Sequence, residues 1–284
     1  MSRIALIIAG GNRPPPIVLN ALPPPVFTIA ADSGVDHARA LDLIVDAVVG
    51  DFDSASPQGL DWARRQGALI ESHPTDKDQT DLELALAKAA SWIDRPGAAD
   101  GDRSAVDELV VIGLDGGRID HLLANLLTLA GPHSAEVPTT AYLGPCRVSV
   151  VRTERTLRGR PGEVVTLLAV GGRAEGITTR GLAYPLTDEH LETGSARGVS
   201  NVFATPARND GQDRTAAPAG GASATTSHRD DRGTGDGALG ELGELGGTVE
   251  ATVSVRSGIL LALQPHALSG AGSAHPPTTS RPDA

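Results

Sequence analysis

The chain has one cysteine, Cys146, in 284 residues. A single thiol forms no internal disulfide, so the fold must rest on packing, and this cysteine usage fits a reducing cytoplasm. Aromatic residues are also scarce, with two Trp, two Tyr and three Phe, so the core must be built from Leu, Val, Ile and Ala. No apolar run approaches the ~20 residues that span a bilayer, and no membrane segment is expected. Positive charge is short: 24 Lys and Arg face 35 Asp and Glu, a formal charge of −11. Such a surface repels nucleic acid. It can still bind a nucleotide if Mg²⁺ supplies the missing positive charge. The opening Met1–Ala9 carries a short apolar run cut off by Gly10-Gly11-Asn12, and is expected to be a first strand rather than a secretory signal.

What the chain does have is a series of acidic or glycine-rich turns placed after short apolar runs. Ala47-Val48-Val49 reads as a buried strand, and Gly50-Asp51-Phe52-Asp53-Ser54 follows it. Asp51 and Asp53 lie two residues apart, so an extended backbone would point both carboxylates to one side. Carboxylates that close repel each other unless a cation sits between them, and hard oxygen ligands suit Mg²⁺. A lone Asp-x-Asp is equally a solvated acidic turn.

The other strand ends shift that balance. Ile4–Ala9 ends in Gly10-Gly11, and Val26–Ala31 ends in Asp32-Ser33-Gly34 ahead of a helix over Val35–Leu41. A helix over Pro57–Gln66 and a strand over Ala68–Glu71 lead to Thr75-Asp76-Lys77-Asp78-Gln79-Thr80-Asp81. Thr80 and Glu83 have capping-box spacing before a helix Asp81–Ile93, whose free N–H groups suit a phosphate. Capping explains Thr80 and Glu83 by itself, but not Lys77 or the clustering of Asp78 with Asp81. A polar loop is expected over Arg95–Ala105. The strand Leu109–Ile112 then runs into Gly113 to His121 before a helix over Leu122–Leu129, with Arg118 able to fork onto phosphate oxygens. His121 reads first as a polar helix-start residue. Thr139–Leu143 is the last strand of this half. Strands alternating with helices predict a mostly parallel sheet, whose ligands bind beyond the carboxyl ends of the strands, where all these turns converge.

From Arg147 the pattern changes to short β-rich runs: Val148–Val151, Val164–Ala169, Ala174–Thr178 and Val249–Val255. The expected fold class is therefore an N-terminal, mostly parallel α/β sheet domain over 1–145, followed by a smaller all-β, sandwich-like domain over 146–265. Arg208–Gly247 has almost no large apolar residues and is expected to be a disordered insertion, and residues 266–284 a flexible tail. Tyr184, in the Gly- and Pro-bounded stretch Gly181–Leu186, is either a stacking surface or an ordinary core residue.

Taken together, Gly10-Gly11, Asp32-Ser33-Gly34, Gly50–Ser54, Lys77–Asp81, Gly116–His121 with Leu123-Ala124-Asn125, Gly181–Leu186, Ser200-Asn201 and Ser257–Leu260 resemble the thiamin pyrophosphokinase family. The resemblance spans most of residues 3–264. It implies a homodimer that uses ATP and Mg²⁺ to transfer pyrophosphate to the hydroxyl of thiamin, giving thiamin diphosphate and AMP. It implies Asp51, Asp53 and Asp81 as metal and catalytic carboxylates, with Asp78 beside them and either Asp78 or Asp81 as the proton acceptor. Gly11, Asp32, Ser54, Lys77, Thr80, Arg118 and Asp120 fall on the ATP side, and Tyr184, Ser200 and Asn201 on the thiamin side. Two departures stand out. Val202 occupies a position where the family usually has an acidic residue, and the insertion Arg208–Gly247 is atypical. The alternatives are a pyrophosphokinase acting on a hydroxymethyl pterin, disfavoured by the Tyr184 and Ser200 motifs, and a non-enzymatic nucleotide- or thiamin-binding regulator, disfavoured by the intact carboxylates.

Overall fold

The computed structural model describes residues 2–93, 106–116, 118–206 and 247–269. The loop expected over Arg95–Ala105 and, except for Gly247, the insertion over Arg208–Gly247 lie outside the described residues. So does the tail beyond Ser269.

The first half alternates as expected: β1 (Ile4–Ile8), α1 (Pro16–Asn20), β2 (Pro25–Ala31), α2 (Gly34–Ala40), β3 (Ala47–Gly50), α3 (Pro57–Arg65), β4 (Leu69–Ser72), α4 (Asp81–Ile93), β5 (Glu108–Ile112), α5 (Ile119–Leu129) and β6 (Thr139–Leu143). The short segment between Pro14-Pro15-Pro16 and Pro23-Pro24-Pro25 is helical, because Pro16 supplies a preset φ at the first helical turn. Strand order is β4-β3-β2-β1-β5-β6, all parallel. The chain moves outward from β1 to β4, then returns to β5 on the other side of β1. The topological switch point, where α/β sheets open a crevice, therefore lies between β1 and β5.

Strand periodicity divides the core into two layers. In β1, Ala5 and Ile7 face the layer that packs Leu82, Leu86 and Ala89 of α4 and Leu129 of α5. Ile4, Leu6 and Ile8 face the opposite layer, with Val18 of α1, Val35 and Ala38 of α2 and Ala63 of α3. Both faces are buried, which is why these strands read as continuous apolar runs instead of alternating ones. Phe27 and Trp92 meet edge to face at 5.1 Å in the first layer, so two of the few aromatic rings anchor α4 to the sheet.

The second half continues the same sheet. β7 (Cys146–Val151) folds back antiparallel on β6, and the order runs on through β13 (Ser257–Gln264), β9 (Val164–Arg180), β12 (Val249–Ser254) and β8 (Glu154–Gly159). β10 (Glu189–Leu191) and β11 (Asn201–Val202) add to β9. The two strands expected at Val164–Ala169 and Ala174–Thr178 are one strand of 17 residues. Its bend falls at Gly171 and Gly172, with φ of +72° and +140°, where glycine turns the backbone without ending the ladder. The first part of β9 pairs with β13 and the last part with β12, so the sheet curls around a separate core of Leu157, Leu167, Ile177, Phe203, Val253 and Leu260. β8, β10, β11 and β13 are not anticipated from periodicity. β13 has apolar residues on both faces, with Leu261 in the first core and Leu260 and Ala262 in the second, so it shows no alternation. Leu268, in the turn after β13, packs against the helical side of the α/β sheet; the first residues of the expected tail are thus held by the fold.

Helix α2 lies so close to β1 that a Cβ on Gly34 would sit 2.0 Å from the Ile8 carbonyl oxygen. The obstructing atom is sheet backbone and cannot move aside. Gly34→Ala is expected to lose about 1–3 kcal/mol or more, as overpacking does, read as a lowered urea midpoint with an unchanged slope. An unchanged midpoint would show that α2 has slack against the sheet.

Candidate active site

The switch-point crevice is a cleft of about 570 Å³. Gly11, Asp32, Asp51, Asp53, Ser54, Thr80, Asp81, Arg118 and Asp120 line it, together with Ser33, His121 and Asn125. Two residues expected on the ATP and metal side do not line it: Asp78, which is exposed, and Lys77, which instead reaches Asp51 and Asp81.

The floor is set by two loops at the ends of β1 and β5. Gly11 donates its N–H to the Gly113 carbonyl at 2.8 Å, and a Cβ there would lie 2.2 Å from the Asp115 carbonyl oxygen, so only glycine allows this approach. His37 of α2 fixes the same loop through a 2.7 Å hydrogen bond between Nε2 and the Gly11 carbonyl. Nothing in the residues around His37 marks that role, because the contact joins a helix to a loop 26 positions away.

At the end of β2, Asp32 is 6% exposed and holds a left-handed φ of +46°. Ser54 Oγ donates to its Oδ2, while its Oδ1 is buried with no hydrogen-bond partner among the described residues. Ligand oxygens of Asp32, Asp51 and Asp53 all lie within 4.8 Å of one another. The expected route to this closeness was an extended Asp51–Asp53 segment, and the structure corrects it. Phe52 is left-handed, at φ +63°, and the Asp53 N–H folds back onto Asp51 Oδ1 at 3.3 Å. The carboxylates therefore converge through a turn, and Asp32 from the neighbouring strand joins them in the place expected for Asp81.

Asp81 stands beside the trio, paired with Lys77. The Lys77 ammonium reaches Asp51 Oδ2 at 2.8 Å and Asp81 Oδ1 at 3.0 Å, off the hydrogen-bonding direction of the second. Its hydrogen bond holds the Asp51 carboxyl below the usual range, against a smaller effect of burial. Burial works to lower the Lys77 ammonium, but the two carboxylates outweigh it and its affinity for the proton rises. For Asp81 burial dominates over Lys77 and pushes the carboxyl up. Thr80 caps α4 by accepting the Glu83 N–H at 3.2 Å, so half of the capping box is formed; the Glu83 carboxylate instead lies 3.9 Å from His133 Nε2. On the opposite wall Arg118 forks onto Asp120 at 2.5 and 3.2 Å, and the guanidinium holds the Asp120 carboxyl down to about 2.

A second pocket, of about 330 Å³, opens in the β-rich half and brings together Tyr184, Ser200 and Asn201. Tyr184 is 68% exposed, which excludes the core reading. Ser200 is left-handed, at φ +62°, with its N–H donated to Thr166 Oγ1 at 3.1 Å. Asn201 is buried and its amide is already used: Oδ1 accepts from the Tyr184 and Val202 N–H groups, and Nδ2 donates to the Tyr184 carbonyl. It positions the tyrosine turn and has little left to offer a ligand.

A parallel sheet with a carboxylate cluster and glycine loops at its switch point, continued into a β-rich half with a second pocket, defines an α/β protein with a candidate nucleotide and metal site. Residues 22–141 match the family model for the thiamin pyrophosphokinase catalytic domain, and residues 149–208 match that for its vitamin B1 binding domain. The chain belongs to the thiamin pyrophosphokinase family. It is 23% identical over 184 residues to a thiamine pyrophosphokinase of Bacillus subtilis, covering 61% of this chain and 76% of that one. Thiamine pyrophosphokinase 1 of Oryza sativa is 26% identical over 167 residues, 55% of this chain and 58% of the relative. The fold superposes with a TM-score of 0.63 on the crystal structure of the Bacillus subtilis protein, over 92% and 98% of the two chains at 20% identity. The Candida albicans protein gives 0.61 over 92% and 89% at 13% identity.

The raised Asp81 carboxyl has a consequence for stability. The folded chain binds that proton more tightly than the unfolded one, whose value is near 3.8. Stability from this group is therefore greatest at low pH and falls as pH rises through the raised value. With divalent cations removed, Asp81→Asn is expected to match or exceed the parent in urea midpoint at pH 7, with the gain vanishing near pH 3. A lower midpoint at pH 7 would mean that the ion pair with Lys77 outweighs the burial.

Proposed function

We propose that this chain is a thiamine diphosphokinase acting in the cytoplasm, which transfers the pyrophosphoryl group of ATP to the hydroxyl of thiamin and releases AMP, with Mg²⁺ as its metal. The observation that carries the reading is the cluster of Asp32, Asp51 and Asp53 with a buried, unpartnered oxygen on Asp32. An anionic trio with an orphaned acceptor is a donor set for a hard cation, so the residues fit the metal. Asp51, Asp53 and Asp32 would hold it, with Asp81 beside them. The chemistry that Mg²⁺ supplies when bound is neutralisation of phosphate charge.

The residues themselves account for the rest. Backbone N–H groups of the Gly10–Gly11 and Gly113–Gly116 loops and the N-terminus of α4 behind Thr80 suit the phosphates. Arg118, held against Asp120, provides a guanidinium for phosphate oxygens. Lys77 offsets the mutual repulsion of Asp51 and Asp81 by pairing with both. Pyrophosphoryl transfer needs positioning more than covalent help. Of the two candidate acceptors for the thiamin hydroxyl proton, Asp81 lines the cleft and Asp78 does not. The B1-binding match over the second pocket supports thiamin over a pterin as acceptor. No helix among the described residues is long and apolar enough to cross a membrane.

Incubation with ATP, Mg²⁺ and thiamin should yield AMP and thiamin diphosphate in equal amounts, and Asp53→Asn should cut turnover by about 10²-fold or more through lost charge stabilisation. ADP with thiamin monophosphate would overturn the reaction, and near-normal turnover of the variant would overturn the metal assignment.

The working unit we propose is a homodimer in which the second pocket of one chain completes the cleft of the other. Helix α5 supports this: its first turns line the cleft, while Ile119, Leu123 and Leu127 form an exposed apolar stripe at four-residue spacing. Co-refolding Asp81→Ala with the double variant Tyr184→Ala, Ser200→Ala should restore roughly a quarter of parent activity, since random pairing makes about half the dimers mixed, each with one intact site. A mixture as inactive as its components would place each site within a single chain.

A further inference from the structure

Of the ten described residues lining the second pocket, two are charged, Glu189 and Arg197, and they pair with each other. The two differ in placement. Arg197 is the outer partner, with its side chain 59% exposed, in the loop before Gly198. Glu189 is 32% exposed and sits on β10, held in register against Ile177 of β9. The other charged groups of this edge lie outside the pocket and are satisfied among themselves: Arg173 with Glu175 and Glu192, and Arg256 with Asp188. The rest of the lining is neutral. Leu167, Leu186 and Val199 are apolar, Tyr184 offers a ring, and the Asn201 amide is already committed. Among the described residues, Glu189 is thus the one source of negative charge in the pocket.

An exposed ion pair contributes little to stability, so exchanging one partner for another cation costs little. A rim arginine is an easily displaced counterion, because its long side chain regains freedom when it swings away. Thiamin bears a permanent positive charge on its thiazolium nitrogen. We infer that Glu189 is the specificity-determining carboxylate of this pocket, selecting a cationic ligand by giving up Arg197 for the thiazolium. The inference rests on the reading of this pocket as the thiamin pocket.

The test compares binding of thiamin with that of its thiophene isostere, which has the same shape without the charge, by titration calorimetry on the full chain. The parent is expected to favour thiamin by about tenfold, which is about 1.4 kcal/mol, and to lose part of that preference as salt is raised. Glu189→Gln should bring the ratio near one while leaving the urea midpoint close to the parent's. Arg197→Gln should keep or widen the ratio, since the competing cation is gone. A purely structural role for Glu189 would weaken both ligands alike and leave the ratio unchanged, which overturns the inference while the pocket reading stands. Should Glu189→Gln fail to fold, a salt-insensitive ratio in the parent overturns the inference equally well. If the parent binds neither compound, the pocket reading itself falls and the inference with it.

Discussion

Three carboxylates within 4.8 Å of one another are an unfavourable arrangement that the rest of the α/β half is built to sustain. Each comes from a separate structural decision. Asp32 is fixed by a left-handed turn at the end of β2, Asp51 by the end of β3, and Asp53 by the left-handed Phe52 that folds the segment back. Ser54 and Lys77 offset part of the repulsion, one donating to Asp32 and the other to Asp51. The strands beneath are buried on both faces, and that rigidity keeps the cluster from relaxing apart. Strain of this kind is retained where a ligand relieves it.

The two halves meet through polar contacts as well as through the shared sheet. Arg155 of β8 reaches back to Glu108 of β5 and to Thr140 of β6. Arg147 and Gln264 bridge β7 and β13 and bond the carbonyl of Arg158. Arg152 takes the carbonyls of Ala130 and Gly131 at the end of α5, each at 2.7 Å. The helix whose first turn lines the cleft is therefore pinned at its far end by the β-rich half. These contacts tie β7, β8 and β13 to one another and to the α/β half.

Most of the α/β half was legible in the sequence because its signals are local. Apolar runs bounded by glycine, proline or an acidic turn mark each strand, and α4 begins where its Thr80 cap says it should. The cleft was legible for the same reason: residues at successive strand ends must meet if the sheet is parallel. What escaped was set by distant partners or by a hidden backbone state. Asp32 joins the carboxylate cluster only because Phe52 turns the neighbouring segment, and no side-chain pattern shows a left-handed φ at a phenylalanine. The His37 contact and the role of Asn201 depend on loops brought in from elsewhere. In the β half, β9 looked like two strands because its bend carries two glycines, and β13 lacked alternation because both its faces are covered.

The position of β13 has a bearing on how the chain comes into being. A strand made near residue 260 lies in the middle of the sheet, between β7 and β9, which are made about a hundred residues earlier. During synthesis the nascent α/β half must wait with β7 as an open edge, its N–H and C=O groups unmatched, until that late strand emerges from the ribosome. Contacts of such long sequence separation are slow to form, and an unmatched edge invites pairing with other chains. The closing of the gap by β13 removes that open edge of β7.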